Sequence, residues 1–189
     1  MKKQAYTYVL YPLAIISLIL VLPLLRSKPT HNLDSMLFVK AAFFDAEDGE
    51  YTVNLYCTDA ESTEAHFFYG SAKEVRLAIE NAKNGSYKNM FFPSTEVLLL
   101  GDGILEGELY DIASYAVKTN DFPLSVAVFR GKKELASADY VKITDATDSR
   151  SISADTRLWR HVNELISENK MPSLLNVRKG EDGKIYFEG

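Results

Sequence analysis

Three glycines in the stretch LLLGDGILEG have the type and spacing closest to a chemical motif. Gly101, Gly103 and Gly107 follow a run of aliphatic residues and precede a predicted helix, where glycine-rich loops often hold nucleotide phosphates. However, the spacing G-x-G-x-x-x-G is one residue longer than the dinucleotide fingerprint, and Asp102 would set a carboxylate against the phosphates. Asp121 stands where a ribose ligand would be expected, but acidic residues are frequent in a chain of net charge −5. We therefore expect a strand-to-helix turn capped by Asp102, and no nucleotide site.

A second polar cluster, TDAESTEAH, could in principle hold a divalent cation. It contains Asp59, Glu61, Glu64 and His66, and carboxylate oxygens together with an imidazole suit several divalent metals. A hydrophilic loop between two strands has the same composition and needs no metal. We expect such a loop at 59–66 and predict no metal-binding residue.

The chain contains none of the common catalytic signatures. It has no G-x-x-x-x-G-K-S/T phosphate loop, no H-E-x-x-H zinc helix and no G-x-S-x-G nucleophile elbow. Arg157, Arg160 and His161 are expected on a solvated helix face, because charged side chains are usually exposed. Cys57, the only cysteine, lies on the apolar side of YTVNLYC and is expected to be buried and unreactive. We predict a protein that is not an enzyme, with no catalytic or cofactor-binding residues and no cofactor.

Composition limits the remaining function classes. The chain has 189 residues, of which 47% are hydrophobic and 12% aromatic, which is enough to build one packed domain. The negative net charge argues against a nucleic-acid partner, because binding to phosphates normally needs a basic surface.

The first half of the domain reads as three strands and a helix. MLFVKAAFF and YTVNLYC predict two strands joined by a tight turn at Asp48-Gly49, and EAHFFYG predicts a third strand. SAKEVRLAIENAKNG predicts a helix that begins with a capping box of Ser71 and Glu74 and ends at Gly85. Its predicted apolar stripe consists of Val75, Ala78, Ile79 and Ala82.

The second half alternates strands and helices. TEVLLL, a helix with an apolar stripe and LSVAVFR form a predicted strand–helix–strand crossover with locally parallel strands. The stripe of this helix comprises Leu105, Leu109, Ile112 and Ala116. A third helix is predicted over 153–169, with Leu158, Trp159, Val162, Leu165 and Ile166 on one face. LLNVRKGEDGKIYFEG predicts one or two strands that turn at Asp182-Gly183. The predicted fold class is therefore α/β (α+β), a mixed β-sheet packed with about three helices.

The amino terminus predicts a membrane anchor. The stretch 8–25, YVLYPLAIISLILVLPLL, contains 18 residues without a charge and is closed by Arg26 and Lys28. As a helix it would reach about 27 Å, which is close to the hydrocarbon thickness of a bilayer. A cleaved secretory leader is the alternative, but no small-x-small cleavage site follows the run. We divide the chain into an anchor and linker at 1–30, in which Lys2 and Lys3 precede the apolar span, and an extracytoplasmic domain at 31–189.

The order of segments from Met36 onward resembles the amino-terminal domain of the Ger(x)C family, the C subunits of bacterial spore germinant receptors. The clearest similarity lies in EVLLLGDGILEGELYDIASYAVKTNDFPLSVAVFRGK, where the positions resembling the family pattern are Gly101, Gly107, Asp121, Pro123 and 126–128. Family members usually carry a lipidated cysteine after a short leader, and none follows the apolar run here. The family also continues into two further domains. The resemblance therefore implies a shortened relative or accessory protein in which a spanning helix replaces the lipid.

We expect a membrane-anchored, non-catalytic protein that acts by protein contact in a germinant-receptor-like complex, in the cell membrane or the inner membrane of a spore. The resemblance implies integral-membrane subunits as partners, and 8–25 would contact the bilayer. Edge strands at EAHFFYG or in the carboxy-terminal hairpin could supply the contact. The alternatives are an envelope enzyme or small-ligand-binding protein that uses the loop 59–66 or the turn 101–103, and a secreted domain whose leader is removed.

Overall fold

Long antiparallel strands and short parallel strands share one sheet in this protein. The computed structural model describes residues 35–59, 64–149, 156–168, 170 and 172–189. The strands in this part of the chain are β1 (Met36–Glu47), β2 (Glu50–Asp59), β3 (Ala65–Ala72), β4 (Asn89–Phe91), β5 (Val97–Leu100), β6 (Ala127–Arg130), β7 (Asn176–Lys179) and β8 (Ile185–Glu188). The helices are α1 (Val75–Asn84), α2 (Glu106–Thr119), α3 (Lys133–Ala138), α4 (Tyr140–Ser149) and α5 (Leu158–Ile166), with a short 3-10 helix at Phe92–Ser94.

The sheet order among the described residues is β3-β2-β1-β5-β6-β7-β8, and β4 pairs beside the start of β1. The strands β1, β5, β6 and β7 are parallel, whereas β2, β3 and β8 are antiparallel to their neighbours. The predicted hairpin between β1 and β2 is confirmed, with φ of 51° at Asp48 and 76° at Gly49. The predicted parallel crossover from β5 through α2 to β6 and the turn before β8, with φ of 75° at Gly183, are also confirmed.

Helices cover both faces of the sheet. The helices α1, α2 and α5 pack on the face that contains Val53 and Leu98, and α3 and α4 pack on the face that contains Phe43 and Leu99. The mixed α/β class is confirmed, but the expectation of about three helices is wrong, because five lie in the described part and the sequence did not indicate α3 or α4. The helix α3 has only six residues, of which Leu135 and Ala136 are buried, and α4 buries Ile143, so neither shows a long apolar stripe in the sequence.

A β-bulge in β1 sets which residues reach each face. The register against β2 shifts between Val39 and Ala41, so Lys40 is the extra residue. Val39 and Ala42 therefore point to the same face although they are three positions apart, whereas a regular strand would place them on opposite faces. The bulge also lies where the parallel neighbour of β1 changes from β4 to β5, and the carbonyl of Lys40 accepts a hydrogen bond from the amide of Glu96 at 2.9 Å.

Both predicted helix caps are wrong in detail. The helix α1 begins after Glu74 and has no side-chain cap, and Ser71 belongs to β3. The helix α2 begins after Leu105, whose amide donates to Oε2 of Glu108 at 3.2 Å, and Asp102 lies exposed in the turn. The predicted apolar stripe of α1 is buried, and so is that of α2 apart from Leu105, which is exposed.

The predicted anchor at 8–25 lies outside the described residues, and the division into 1–30 and 31–189 stays a prediction. Within the described part of the chain, no helix has the length and apolar character needed to cross a membrane.

Candidate interaction surface

The glycine turn between β5 and α2 is filled by a side chain of the protein itself. Oδ1 of Asp45, at the end of β1, accepts hydrogen bonds from the amides of Gly103 at 2.9 Å and Ala46 at 3.0 Å. A Cβ atom at Gly101 would lie 2.3 Å from Cγ of Asp45, and one at Gly103 would lie 1.8 Å from the carbonyl oxygen of Ala46. Glycine is therefore required because β1 presses against the turn, and Asp45 occupies the position that a phosphate would need.

Arg130 closes the same turn from the other side. Its guanidinium donates to the carbonyl oxygens of Gly101 and Ile104, each at 3.1 Å. The third glycine behaves differently, because a Cβ atom at Gly107 would meet nothing within 4 Å. The three glycines thus do not act together as one phosphate-binding loop.

Asp121, the residue at the ribose-ligand distance, is also engaged within the protein. Its Oδ2 accepts hydrogen bonds from the hydroxyl of Tyr115 and from Nζ of Lys83, the latter at 3.1 Å. Burial, and then the adjacent Asp121 carboxylate, raise the pKa of Tyr115. Lys83 also lies over the ring of Phe92, 4.5 Å from its centroid. This cluster joins α1 to the end of α2.

In the acidic loop, Asp59 and His66 lie close together, and Lys88 takes the place beside Asp59 that a metal cation would need. Nζ of Lys88 donates to Oδ1 of Asp59 at 2.6 Å, and Nε2 of His66 lies 3.0 Å from Oδ2. The hydrogen bond from Lys88, followed by that from His66, lowers the pKa of Asp59. Glu64 is exposed before β3, and Glu61 lies outside the described residues. No group of three or more potential metal ligands occurs among the residues that the structure describes.

Cys57 and His161 are both buried. The predicted burial of Cys57 is confirmed, since the thiol lies in the core and its burial raises the pKa to about 12. The prediction of a solvated His161 is wrong: this residue is 2% exposed, and neither ring nitrogen has a hydrogen-bond partner in the described part of the chain. Nδ1 lies 3.7 Å from Oε2 of Glu164, and burial lowers the pKa of His161. Trp159 and Ile166, expected on the apolar face of this helix, are exposed instead.

An aromatic row lies on the face of β2 and β3 that also contains Phe43 and Leu99, where α3 and α4 pack. It consists of Tyr140, Tyr56, Phe67 and Tyr69. The ring centroid of Tyr56 lies 4.9 Å from that of Tyr140 and 5.3 Å from that of Phe67. Phe67 is 62% exposed and Tyr69 is 58% exposed, so the row runs from the packed α4 side to open solvent at β3. Exposed aromatic side chains grouped in this way are typical of interaction sites.

A groove of about 400 Å³ lies between the aromatic row and α3. Its floor includes Asn54, Tyr56, Phe67 and Tyr69, and its rim includes Lys133 and Ser137. Nζ of Lys133 lies 6.0 Å from the ring centroid of Tyr69. The sequence signal for this surface was the pair Phe67 and Tyr69, which share one face of a strand, and the position of α3 was the part that the sequence did not indicate.

The two predicted edge strands differ in their protection. The terminal strand β8 is antiparallel to β7, and Arg178 on β7 pairs with Glu188 on β8. Lys179 on β7 also pairs with Asp139 at 3.0 Å. In contrast, β3 is eight residues long, contains no Lys, Arg, Asp, Glu or Pro, and pairs only with β2 among the described strands. Charges and prolines are the usual protection of an edge against pairing, so β3 is the more open edge.

Comparison with known proteins identifies one family. The model of the family described as "Spore germination protein N-terminal domain" matches residues 29–179. This range contains every described element from β1 through β7 and stops before β8. Neither the curated proteins nor the solved structures gave a match.

Proposed function

The chain belongs to the Ger(x)C family through its spore germination protein N-terminal domain, and on that basis we propose that it is a non-catalytic component or accessory of a germinant-receptor-like complex. The match over residues 29–179 is the observation that carries this proposal. It covers every described element of the domain except β8.

The turn 101–103 and the acidic loop 59–66, the two stretches that could have held a ligand or a catalytic group, support action by protein contact. The turn at 101–103 holds the carboxylate of Asp45, and Asp59 in the acidic loop is paired with Lys88 and His66. The carboxylates of Asp45 and Asp59 are therefore both engaged by groups of the chain itself. The exposed aromatic row offers a surface suited to a partner.

The sequence 8–25 supports attachment to a membrane, with the domain outside the cytoplasm and integral-membrane subunits as partners. Such attachment raises the effective concentration of the domain relative to other membrane components, so a weak interface can be occupied. Alkaline carbonate extraction of membranes tests the anchor. The full chain should stay in the membrane pellet, and its release into the supernatant would exclude a spanning helix.

Co-purification tests the complex. The full-length chain, tagged at its carboxy terminus, is recovered from sporulating cells in mild detergent, and co-purifying proteins are identified by mass. A matched chain without residues 1–30 serves as the control. Integral-membrane receptor subunits should accompany the full chain at several times the level found with the control. Their absence from both samples would contradict the proposed function.

A further inference from the structure

We propose that the open edge of β3 and the aromatic groove beside it form a docking site for an extended segment of a partner chain, with apolar side chains at alternate positions and a carboxylate that meets Lys133. This proposal rests on the proposed function, because it names the surface and the chemistry of the contact.

The backbone of β3 supplies the first part of the site. An added strand would lie about 4.8 Å from β3 and take up the backbone hydrogen-bonding groups along its outer edge. Nδ2 of Asn81 already donates to the carbonyl of Ser71 at 2.8 Å, so the stretch offered to a partner is 65–70. The helix α1 packs closely against this stretch, because a Cβ atom added at Gly70 would lie 2.2 Å from the carbonyl oxygen of Ala78.

The groove supplies the specificity for side chains. Alternate residues of a strand point to one face, so a partner strand beside Phe67 and Tyr69 would direct every second side chain toward the groove. The volume of about 400 Å³ and the aromatic floor suit apolar side chains.

Charge at the rim indicates an acidic residue in the partner. The helix α3 starts after Lys132, and neither Lys132 nor Lys133 makes an ion pair with another residue in the described part of the chain. Glu134 also lines the groove, so the cation offered to a ligand is Lys133 alone, which has no ion-pair partner in the described part of the chain. A carboxylate beside Tyr69 would pair with Lys133 where the aromatic ring excludes part of the solvent.

A second copy of the chain is the weaker occupant. Phe67 and Tyr69 are 62% and 58% exposed, and an aromatic side chain buries about 150–250 Å² in full, so two copies would cover only about 400–600 Å² through these four rings. A specific interface normally needs about 1,000 Å² or more. In addition, β3 of a second copy contains no Asp or Glu and so offers Lys133 no carboxylate.

The binding test uses the full chain in lipid nanodiscs and a fluorescein-labelled heptapeptide that alternates glutamate or threonine with phenylalanine or valine. Fluorescence anisotropy should show at least fivefold weaker binding of an analogue with lysine in place of glutamate. An analogue with a central proline, which cannot donate to β3, should bind at least tenfold more weakly. Equal binding of all three peptides would overturn the proposal.

Variants locate the site. Tyr69→Ser and Phe67→Ser should each weaken binding of the acidic peptide at least tenfold, and Lys133→Glu at least fivefold. The matched control is Tyr87→Ser, which removes a tyrosine that is 94% exposed in the segment between α1 and β4. Its binding should stay within twofold of the parent, and an equal loss in the control would overturn the proposal. All four side chains are largely exposed, so thermal unfolding should confirm that the variants fold.

Co-purification separates this inference from the proposed function. If receptor subunits accompany the parent and the Tyr69→Ser variant equally, the docking site is wrong while the complex stands. If they accompany neither, the proposed function fails. Sedimentation of the parent as a dimer that Phe67→Ser converts to a monomer would identify a second copy as the occupant and overturn the partner assignment.

Discussion

Alanine at Gly103, in the turn, and at Gly107, in the first turn of α2, should have opposite effects on stability. A Cβ atom at Gly103 would lie 1.8 Å from the carbonyl oxygen of Ala46, whereas real Cβ contacts begin at 3.0 Å, so the backbone of β1 has to move. Overpacking of this kind costs about 3 kcal/mol at the upper end of its usual range. Gly107 is open and helical, so alanine there should stabilise by about 0.5 kcal/mol.

Thermal unfolding followed by circular dichroism measures both changes. For a domain of this size, 1 kcal/mol shifts Tm by about 2–4 °C. Gly103→Ala should therefore lower Tm by about 6–12 °C, and Gly107→Ala should raise it by about 1–2 °C. Equal Tm values for the two variants would refute the packing argument.

A double-mutant cycle identifies Asp45 as the group that excludes a side chain at Gly101. A Cβ atom at Gly101 would lie 2.3 Å from Cγ of Asp45, so Gly101→Ala should cost at least about 1 kcal/mol less in an Asp45→Ala background than in the parent. Gly103→Ala should gain much less relief, because its Cβ atom would lie 2.8 Å from Oδ1 of Asp45 but only 1.8 Å from the carbonyl oxygen of Ala46, which remains in the Asp45→Ala background. A nucleotide site in this turn would contradict the whole argument. It would be indicated if ATP or NAD raised the Tm of the parent and if Gly103→Ala abolished that rise.

Three further predictions concern buried groups. His161→Leu should raise the free energy of unfolding at pH 7.5 by about 1 kcal/mol, because it removes a buried ring without hydrogen-bond partners. Burial lowers the pKa of His161, so the unfolded chain binds a proton more readily than the folded chain. The parent should therefore lose stability as the pH falls through the ordinary value of 6.5. Denaturant titrations of the parent and His161→Leu at pH 7.5 and 5.5 should show the smaller loss in the variant. Cys57, with its pKa raised to about 12, should react with iodoacetamide at pH 8 only after denaturation, as measured by mass. Gly70→Ala should lower Tm by about 4–12 °C, since its Cβ atom would lie 2.2 Å from the carbonyl of Ala78, and an unchanged Tm would contradict the close packing of α1 on β3.

Local patterns in the sequence predicted the elements that depend on local interactions. The turn at Asp48-Gly49 needs positive φ at two residues, and the sequence offers a glycine and an aspartate there. The apolar run of β5 and the stripe of α2 likewise determine a strand–helix–strand unit from residues close in sequence. The hairpin and the parallel crossover could therefore be predicted before any tertiary contact was known.

Features that depend on distant contacts could not be predicted. Asp45 lies 58 residues from Gly103, so no local pattern indicated that a carboxylate of the protein would fill the turn. His161 is buried because α5 packs against α2, although its residue type indicated exposure. The aromatic row was visible only as Phe67 and Tyr69, because the groove also requires α3, whose position the sequence did not indicate.

The carboxylate in the glycine turn has a consequence for how the protein responds to its surroundings. A loop that is ordered by a diffusible anion depends on the concentration of that anion. The carboxylate of Asp45, in contrast, is part of the same polypeptide and is always present. A change in the nucleotide concentration is therefore expected to leave this turn unchanged.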